Sequence, residues 1–332
     1  MDSGGIVEMF AHRLEDWLAD RALQTFTQRR IDDFARDWNE GDIHCAFESA
    51  MAALPSQDAE AVAEAARRLL ADDAWVDRLV GKLAAAMRDD PFFDPPFRAM
   101  GSGIHGGLAI FDSPQMSVAA GVTRASDLAV RKTAKRGATS VGFSGRVSVL
   151  KFVKAGGARI SLWEAPPITA DFSARNAGSC ARTGEIAPAD GDILTVDGRF
   201  QGYVIEQARA NLLVVQAEIN LDAAPLSVEY DSATLAYVGC SATRDGASRI
   251  QMMTTLLRKL GCHDAFPVMA GLLDHPDFFV RWHVMRELLG IDAEAALPHL
   301  RRMAARDAHD DVRRAARSVL DGVQAPKSRK AA

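Results

Sequence analysis

The spacing of apolar residues divides the chain into three parts. Over residues 7–100, apolar side chains recur at three- and four-residue intervals, as in AEAVAEAARRLL, which predicts α helices. Over residues 108–238, short β-branched runs such as RVSVLKFV and NLLVVQAEI alternate with Gly, Pro, Asp and Asn, which is typical of antiparallel strands. The helical period returns over residues 247–322. The pattern predicts a multidomain α+β protein with N-terminal helices, a central antiparallel β barrel or sandwich, and C-terminal helix pairs.

These changes of pattern set the expected domain boundaries. We expect a helical region over 1–100, a β domain over 101–243, helical repeats over 244–323 and a disordered basic tail over 324–332. The segment RDDPFFDPPFRAMGSGIHGG contains three prolines and four glycines, which predicts a flexible linker between the first two regions. Asp73 is the expected cap of the helix AWVDRLVGKLAAAM.

The C-terminal region contains an internal repeat. A shift of 32 residues places VRWHVMRELLG, from Val280, on VRRAARSVLDG, from Val312. In SRIQMMTTLL, Arg249 and Leu256 lie 32 residues before Arg281 and Leu288, but no matching helix precedes this segment. The pattern resembles HEAT repeats, in which the second helix of each pair follows a short turn, here DHPDFFVR and DAHDDVR. The resemblance implies helix pairs that contact a partner protein or that buttress the β domain.

One repeat contains the histidine-rich stretch HPDFFVRWHVMRELLG. Its histidines, His275 and His283, lie eight residues apart, whereas two metal ligands on one helix face need a spacing of about four. We therefore predict a helix whose residues Val280, Val284 and Leu288 are buried, and no metal site.

The central region resembles a cupin barrel. APADGDILTVDGRFQGYVI has the Gly-Asp turn, strand and loop of the second cupin motif, and the usual metal-binding histidine would fall near Gln201 and Gly202. GGARISLWEAPP, in the place of the first motif, supplies Trp163 and Glu164 but no histidine, and residues 106–262 contain none. The resemblance implies a cupin-like barrel without the usual metal, and no cofactor is predicted.

A barrel of this kind also offers an interior for a small-molecule ligand. Polar residues within apolar strands are the candidates, because an inward-facing polar group is unusual there. The predicted ligand-binding residues are Trp163, Glu164, Arg182, Tyr203, Glu206 and Gln216. The competing interpretation is that strand alternation turns each of these side chains to solvent. A weaker candidate is His105, should the glycine-rich segment fold over the mouth of the barrel.

The densest run of one charge sign follows the predicted linker. Residues 131–159 contain eight basic residues and no acidic residue, whereas residues 1–100 contain 20 acidic and 11 basic side chains. The run is therefore expected to contact an acidic partner protein or the acidic helices of its own chain. A pI of about 5.9 argues against nucleic acid. The predicted partner-binding residues are Lys132, Lys135, Arg136 and Lys151, followed by Arg281, Arg286, Arg313 and Arg317 on the repeats.

Hydropathy, the charge of the N-terminus and the cysteines bear on the predicted cellular location. No stretch of eighteen apolar residues is present, and the N-terminus is acidic where a signal peptide would be basic, so the prediction is a cytoplasmic protein without membrane contact. The four cysteines form no close pair, which argues against a disulfide framework.

The absence of common catalytic motifs bears on the predicted function. GxSxG, GxxxxGK[ST] and HExxH are absent from the sequence. We therefore predict a non-enzymatic ligand-sensing or protein-interaction protein. The alternatives are a metal-independent isomerase or lyase that uses Glu and Tyr residues of the barrel, or a structural subunit of a larger complex. The sequence is also compatible with a homo-oligomer.

Overall fold

A computed structural model describes residues 12–101, 104–134 and 139–324. Lys135, Arg136 and the predicted basic tail from residue 325 onward lie outside these residues. The described chain begins with helices, continues through antiparallel sheets and ends in helix pairs. The predicted multidomain α+β class is therefore confirmed.

The N-terminal helices are short and closely spaced. They are α1 (12–19), α2 (Arg21–Asn39), α3 (Asp42–Ala52), α4 (Ala59–Leu69) and α5 (Ala74–Asp89). Asp20 caps α2, because its carboxylate accepts hydrogen bonds from the amides of Ala22 and Leu23. Asp73 precedes α5, as predicted, but its side chain makes no capping hydrogen bond. One of its carboxylate oxygens lies instead 3.5 Å from Nζ of Lys151 in the β domain.

The β region contains three antiparallel sheets. The strands are β1 (Arg98–Gly101), β2 (His105–Asp112), β3 (Met116–Thr123), β4 (Ser140–Phe143), β5 (Val147–Lys154), β6 (Arg159–Glu164), β7 (Ala181–Ile186), β8 (Ile193–Asp197), β9 (Gln201–Gln207), β10 (Leu212–Ile219), β11 (Leu226–Asp231) and β12 (Tyr237–Ala242). The sheet orders are β1-β2-β3-β10-β5-β8, β12-β11-β4 and β7-β6-β9. One helix, α6 (Ala125–Ala134), lies between β3 and β4 in the chain.

The predicted linker includes two strands of the large sheet. β1 and β2 pair in antiparallel register, with Gly101 opposite Gly106 and Met100 opposite Gly107. A Cβ atom at Gly107 would lie 2.6 Å from the carbonyl oxygen of Ala120 on the neighbouring strand. The prediction of a flexible linker over this glycine-rich segment is therefore wrong, because its glycines allow close strand approach.

The N-terminal helices share their core with the six-stranded sheet. Val149 and Val215, from the neighbouring interior strands β5 and β10, lie in one buried cluster with Val62 and Trp75 of the helices. The indole Nε1 of Trp38 also donates a hydrogen bond to the carbonyl oxygen of Ile110. One face of the sheet is thus covered by helices, and its other face is left for the interior of the barrel.

The C-terminal helices form the predicted pairs. They are α7 (Asp245–Lys259), α8 (Phe266–Gly271), α9 (Phe278–Ile291), α10 (Ala293–Arg306) and α11 (Asp310–Gln324). The histidine-rich stretch forms α9, and Val280, Val284 and Leu288 are each 0% exposed, which confirms the predicted buried stripe. His283 contacts α7, where its Nε2 lies 2.9 Å from Oγ1 of Thr255.

An arginine recurs at the same place in both complete repeats. Arg281 donates hydrogen bonds to the carbonyl oxygens of His275 and Pro276, and Arg313 does so to those of Asp307 and Ala308. In each case the acceptors lie six and five residues before the arginine. The Val-Arg signature of the turn is therefore structural, because it closes the turn that leads into each second helix.

Candidate functional site

A cavity of about 690 Å³ lies inside the β region. Its apolar wall includes Phe143, Leu150, Phe152, Ile205 and Val214. α6 contributes Leu128, Arg131 and Lys132 to the lining. A volume of this size and a mainly apolar wall are typical of sites for small organic ligands.

β10 places polar side chains in this cavity. Val214, Gln216 and Glu218 line it, whereas the alternating residues of the strand belong to the core beneath the helices. Nε2 of Gln216 lies 3.1 Å from Oε1 of Glu218 and 3.5 Å from Oγ of Ser148. These three side chains form a polar end on an otherwise apolar wall.

Tyr203 adds a phenol to the same interior. Burial, followed by the charge of Glu218, raises the pKa of Tyr203 to about 12, so the hydroxyl stays protonated at neutral pH. Within the part of the chain that the structure describes, this hydroxyl has no hydrogen-bond partner. It can therefore donate a hydrogen bond to a ligand and accept one from it.

Other polar groups line the cavity at α6 and at the β2–β3 pair. Nδ1 of His105 lies 2.7 Å from Oγ1 of Thr123, and burial lowers the pKa of this histidine. Nζ of Lys132 lies 2.7 Å from Oε2 of Glu206, whose other oxygen accepts a hydrogen bond of 2.5 Å from Ser161. Burial raises the pKa of Glu206, but the bonds from Lys132 and Ser161 outweigh it and lower the pKa overall. This carboxylate is thus ionised and holds α6 against β9.

The predicted ligand residues divide into two groups. Tyr203 and Gln216 line the cavity, and Glu206 borders it through Lys132. Trp163 is buried in a cluster with Phe172 and Tyr230 and is not among the residues that line the cavity.

Two of the six predicted ligand residues face solvent. Glu164 is exposed at the end of β6, and Arg182 is exposed and paired with Glu185. Neither lines the cavity, so the structure excludes both from a ligand site there. At these two positions the competing interpretation holds, because strand alternation turns the side chains to solvent.

The predicted partner-binding residues are also separated by the structure. Lys151 is 5% exposed and Lys132 is paired with Glu206, so neither presents a free charge to a partner. Arg281 and Arg313 are occupied at the turns of the repeats. Arg286 and Arg317 are exposed. Nε of Arg317 donates a hydrogen bond of 3.0 Å to the carbonyl oxygen of Ala304, so its guanidinium is accessible but partly engaged.

The barrel differs from a metal site in its donor set. Among the described residues, no three His, Cys, Asp or Glu side chains are grouped as metal ligands. Gly202 lies near the place where the sequence comparison put the usual cupin histidine, and a Cβ atom there would lie 2.8 Å from the carbonyl oxygen of Gly142. A side chain at this position would displace β4 from β9, so this wall of the barrel accommodates only glycine.

The polar residues that sequence reasoning missed are Glu218, Ser148 and Arg146. Glu218 follows Gln216 by two residues, so any register that turns Gln216 inward turns Glu218 inward as well. Strict alternation along LLVVQAEI was therefore the signal for this residue. Ser148 became apparent only with the pairing of β5 against β10, and Arg146 only through its contacts with Glu218 and Thr243.

Comparisons with known proteins give partial matches. Residues 241–321 match the family model described as HEAT repeats. The crystal structure of ectoine synthase from P. lautus is similar with a TM-score of 0.22 and 12% identity, over 37% of this chain and 69% of that one. The 7S globulin of Momordica charantia is similar with a TM-score of 0.25 and 11% identity, over 41% of this chain and 36% of that one. No curated protein matches the chain.

The chain combines a C-terminal region similar to HEAT repeats with a central antiparallel β domain. HEAT repeats commonly form surfaces for protein partners. No helix within the described residues is long and apolar enough to cross a membrane.

Proposed function

We propose that the chain is a ligand-sensing adaptor, in which the β domain binds a small organic molecule and the repeats engage a protein partner. The cavity carries this proposal. It combines an apolar wall with a convergent polar group made by Gln216, Glu218 and Tyr203. Gln216 and Glu218 are bonded to each other, whereas the hydroxyl of Tyr203 has no partner among the described residues. Since a buried polar group without a partner costs free energy, this hydroxyl favours a ligand that supplies one.

The chemistry of the polar end indicates the class of ligand. Glu218 offers only acceptors, Gln216 has a free carbonyl oxygen, and the hydroxyl of Tyr203 both donates and accepts. The complement is a small molecule with an apolar body and a hydroxyl or amine head. The β domain is proposed to act without a metal, as the donor set of the described residues suggests.

A fluorescent probe tests whether the cavity accepts such a body. 8-Anilinonaphthalene-1-sulfonate has an apolar aromatic frame suited to the mainly apolar wall, and its sulfonate suits Arg131 in the lining. Ala119 lines the cavity and is paired with Gln216. We expect Ala119→Phe to abolish the saturable fluorescence increase, while Ala305→Phe, on the exposed face of α10, leaves it unchanged. Unchanged probe affinity in Ala119→Phe, or no binding to the wild type, would refute the cavity as the site.

The partner proposal rests on the exposed face of the repeats. Arg286 on α9 and Arg317 on α11 are accessible, and an acidic protein surface is the complement of such guanidinium groups. A partner identified by its retention on the wild-type chain should be lost with Arg286→Glu/Arg317→Glu and retained with Arg124→Glu. Equal retention by all three chains would remove these arginines from the interface.

One observation favours a second function. Tyr203 and Glu218 both line the cavity, where burial and then the charge of Glu218 raise the pKa of Tyr203. A protonated phenol beside a carboxylate is an acid–base pair of the kind that an isomerase or lyase uses. If the probe is displaced by a hydroxylated or amino compound that the protein then converts, and Tyr203→Phe stops conversion but not displacement, the enzyme function replaces the sensor.

A further inference from the structure

The guanidinium group of Arg146 joins the cavity to the start of the repeats. Its Nη1 lies 3.2 Å from Oε2 of Glu218, whose other oxygen accepts the hydrogen bond from Gln216 in the cavity. Its Nη2 donates a hydrogen bond of 2.6 Å to the carbonyl oxygen of Thr243. Thr243 lies two residues before Asp245, the first residue of α7. One side chain therefore contacts both the polar end of the cavity and the entry to the first repeat helix.

The same carbonyl position is bound by arginine in the two complete repeats. Thr243, His275 and Asp307 stand at intervals of 32 residues. The carbonyl oxygens of His275 and Asp307 accept hydrogen bonds from Arg281 and Arg313 of their own repeats. In both complete repeats, an arginine of the repeat itself therefore closes this turn.

At the first repeat helix, α7, the arginine that binds this carbonyl oxygen does not come from the repeat itself. Arg249 occupies on α7 the position that Arg281 holds on α9, and its side chain is exposed. The barrel residue Arg146 binds the carbonyl of Thr243 instead. The first turn of the array is therefore closed by the β domain and not by the array itself.

The backbone beside Arg146 fits tightly against this turn. Gly145 has a φ of +74°, and a Cβ atom there would lie 2.6 Å from the carbonyl oxygen of Leu226 and 2.8 Å from Oγ1 of Thr243. Within the described chain, Nε of Arg146 and Oγ1 of Thr243 are buried without hydrogen-bond partners. A contact that leaves a buried donor and a buried acceptor unpaired is not optimally bonded, so a small change at Glu218 can displace it.

We propose that Arg146 couples occupancy of the barrel cavity to the position of α7. This inference rests on the proposed ligand site and adds its regulation. A hydroxyl or amine head that binds Glu218 competes with Arg146 for the carboxylate, because both need the same oxygens. Arg146 then holds Thr243 less firmly, and the N-terminal turn of α7 is released. A ligand acts in this way only through its different affinity for the two arrangements.

α7 is suited to report such a change. It contacts α9 through Arg258 and Glu287, which form an ion pair, and through Thr255 and His283. It also exposes Met252 and Leu256, at 64% and 47%. Release of its first turn therefore alters a surface that is accessible to a partner.

Hydrogen–deuterium exchange of the intact chain tests the link without a ligand. Glu218→Gln keeps the shape of the side chain and removes the charge, as a bound ligand head would do towards Arg146. We expect amide exchange over residues 243–258 to rise roughly tenfold in Glu218→Gln, while exchange over 293–324 is unchanged. Arg146→Lys should have the same effect, since one ammonium group cannot bind Glu218 and Thr243 with the geometry of the fork. Ser148→Ala, which changes the cavity lining without touching Arg146, is the matched control.

The possible outcomes distinguish the proposed coupling through Arg146 from the proposed ligand site in the cavity. If only Arg146→Lys raises exchange, Arg146 closes the turn without input from the cavity, and the coupling is refuted. It is refuted also if Glu218→Gln leaves α7 as protected as Ser148→Ala does. Should Arg146→Lys fail to fold, Glu218→Gln still decides the matter. Because these measurements use no ligand, a failure of the fluorescent probe to bind overturns the cavity proposal separately.

Discussion

Nζ of Lys151 lies 3.5 Å from a carboxylate oxygen of Asp73, and it donates a hydrogen bond of 3.1 Å to the carbonyl oxygen of Ala71. β5 thus directs a lysine from the basic run of the β domain into the N-terminal helices. The second of the two interpretations of that run, contact with the acidic helices of the same chain, describes Lys151. The charge stabilises an internal contact and is not available to a partner.

Reversal of this charge should therefore destabilise the protein. Lys151→Glu places a carboxylate beside Asp73 at a site that is 5% exposed, and we expect a loss of about 3–5 kcal/mol in the free energy of unfolding. Lys154→Glu changes an exposed lysine of the same strand and should cost less than about 1 kcal/mol. Urea denaturation followed by tryptophan fluorescence measures both. Equal losses in the two variants would mean that the Lys151 contact contributes nothing specific.

A second prediction concerns the core of the repeats. Leu288 is fully buried, so Leu288→Ala should lower the free energy of unfolding by about 2–5 kcal/mol. His283→Ala removes hydrogen bonds to Thr255 and to the carbonyl of Gln251, at a cost of about 1 kcal/mol. Leu260→Ala changes an exposed leucine and is the control. Fluorescence of Trp282 on α9 follows the unfolding of this region, and a larger loss for His283→Ala than for Leu288→Ala would contradict the assignment.

The success of the sequence-based predictions depended on how far each one relied on local pattern. Local pattern sufficed for α9 and β10, which each bury a regular face, and for β5, which is buried on both faces and is rich in β-branched residues. It failed at β1 and β2, whose glycines mimic a linker and owe their strand structure to pairing with neighbours.

The candidate site was predicted only in part for a similar reason. Tyr203 and Gln216 stand out as polar residues in apolar strands, but the same criterion also selected Glu164 and Arg182. Which face of each strand points inward depends on the pairing of β6 with β7 and β9, and these pairings contain bulges. Arg146 lies in a turn, and its role follows only from contacts with residues 72 and 97 positions away.

The turn-closing arginines lead to a third prediction. Arg281 binds Asp307 through two nitrogens, at 2.9 Å and 2.7 Å, in addition to the two carbonyl oxygens of its turn. Lysine cannot reproduce this fork, so Arg281→Lys should cost about 1.5–3 kcal/mol. Arg286→Lys, five residues further along the exposed face of α9, should change stability by less than about 0.5 kcal/mol. Indistinguishable urea midpoints for the two variants would show that the fork adds no stability.

The last prediction is a dependence of stability on pH that arises at His309. Its ring stacks on Phe278 with centroids 3.8 Å apart, and its Nδ1 accepts a hydrogen bond from the amide of Asp311. Burial lowers the pKa of His309, although the carbonyl of Phe172 and the charges of Asp171 and Asp307 oppose this, while Arg281 adds to it.

The direction of this pH dependence follows from the number of protons that the folded and the unfolded chain bind. Because the folded pKa of His309 is below the unfolded value of about 6.5, the unfolded chain binds more protons at mildly acidic pH. This histidine therefore destabilises the fold as the pH falls through about 6.5, and its penalty is absent at pH 8. His309→Phe keeps an aromatic ring against Phe278 and removes the titration, so its loss of stability from pH 8 to pH 5 should be smaller than that of the wild type. His263→Phe, at an exposed position, should retain the wild-type dependence. Urea denaturation at several pH values measures the difference, and parallel curves for wild type and His309→Phe would show that His309 does not titrate in this way.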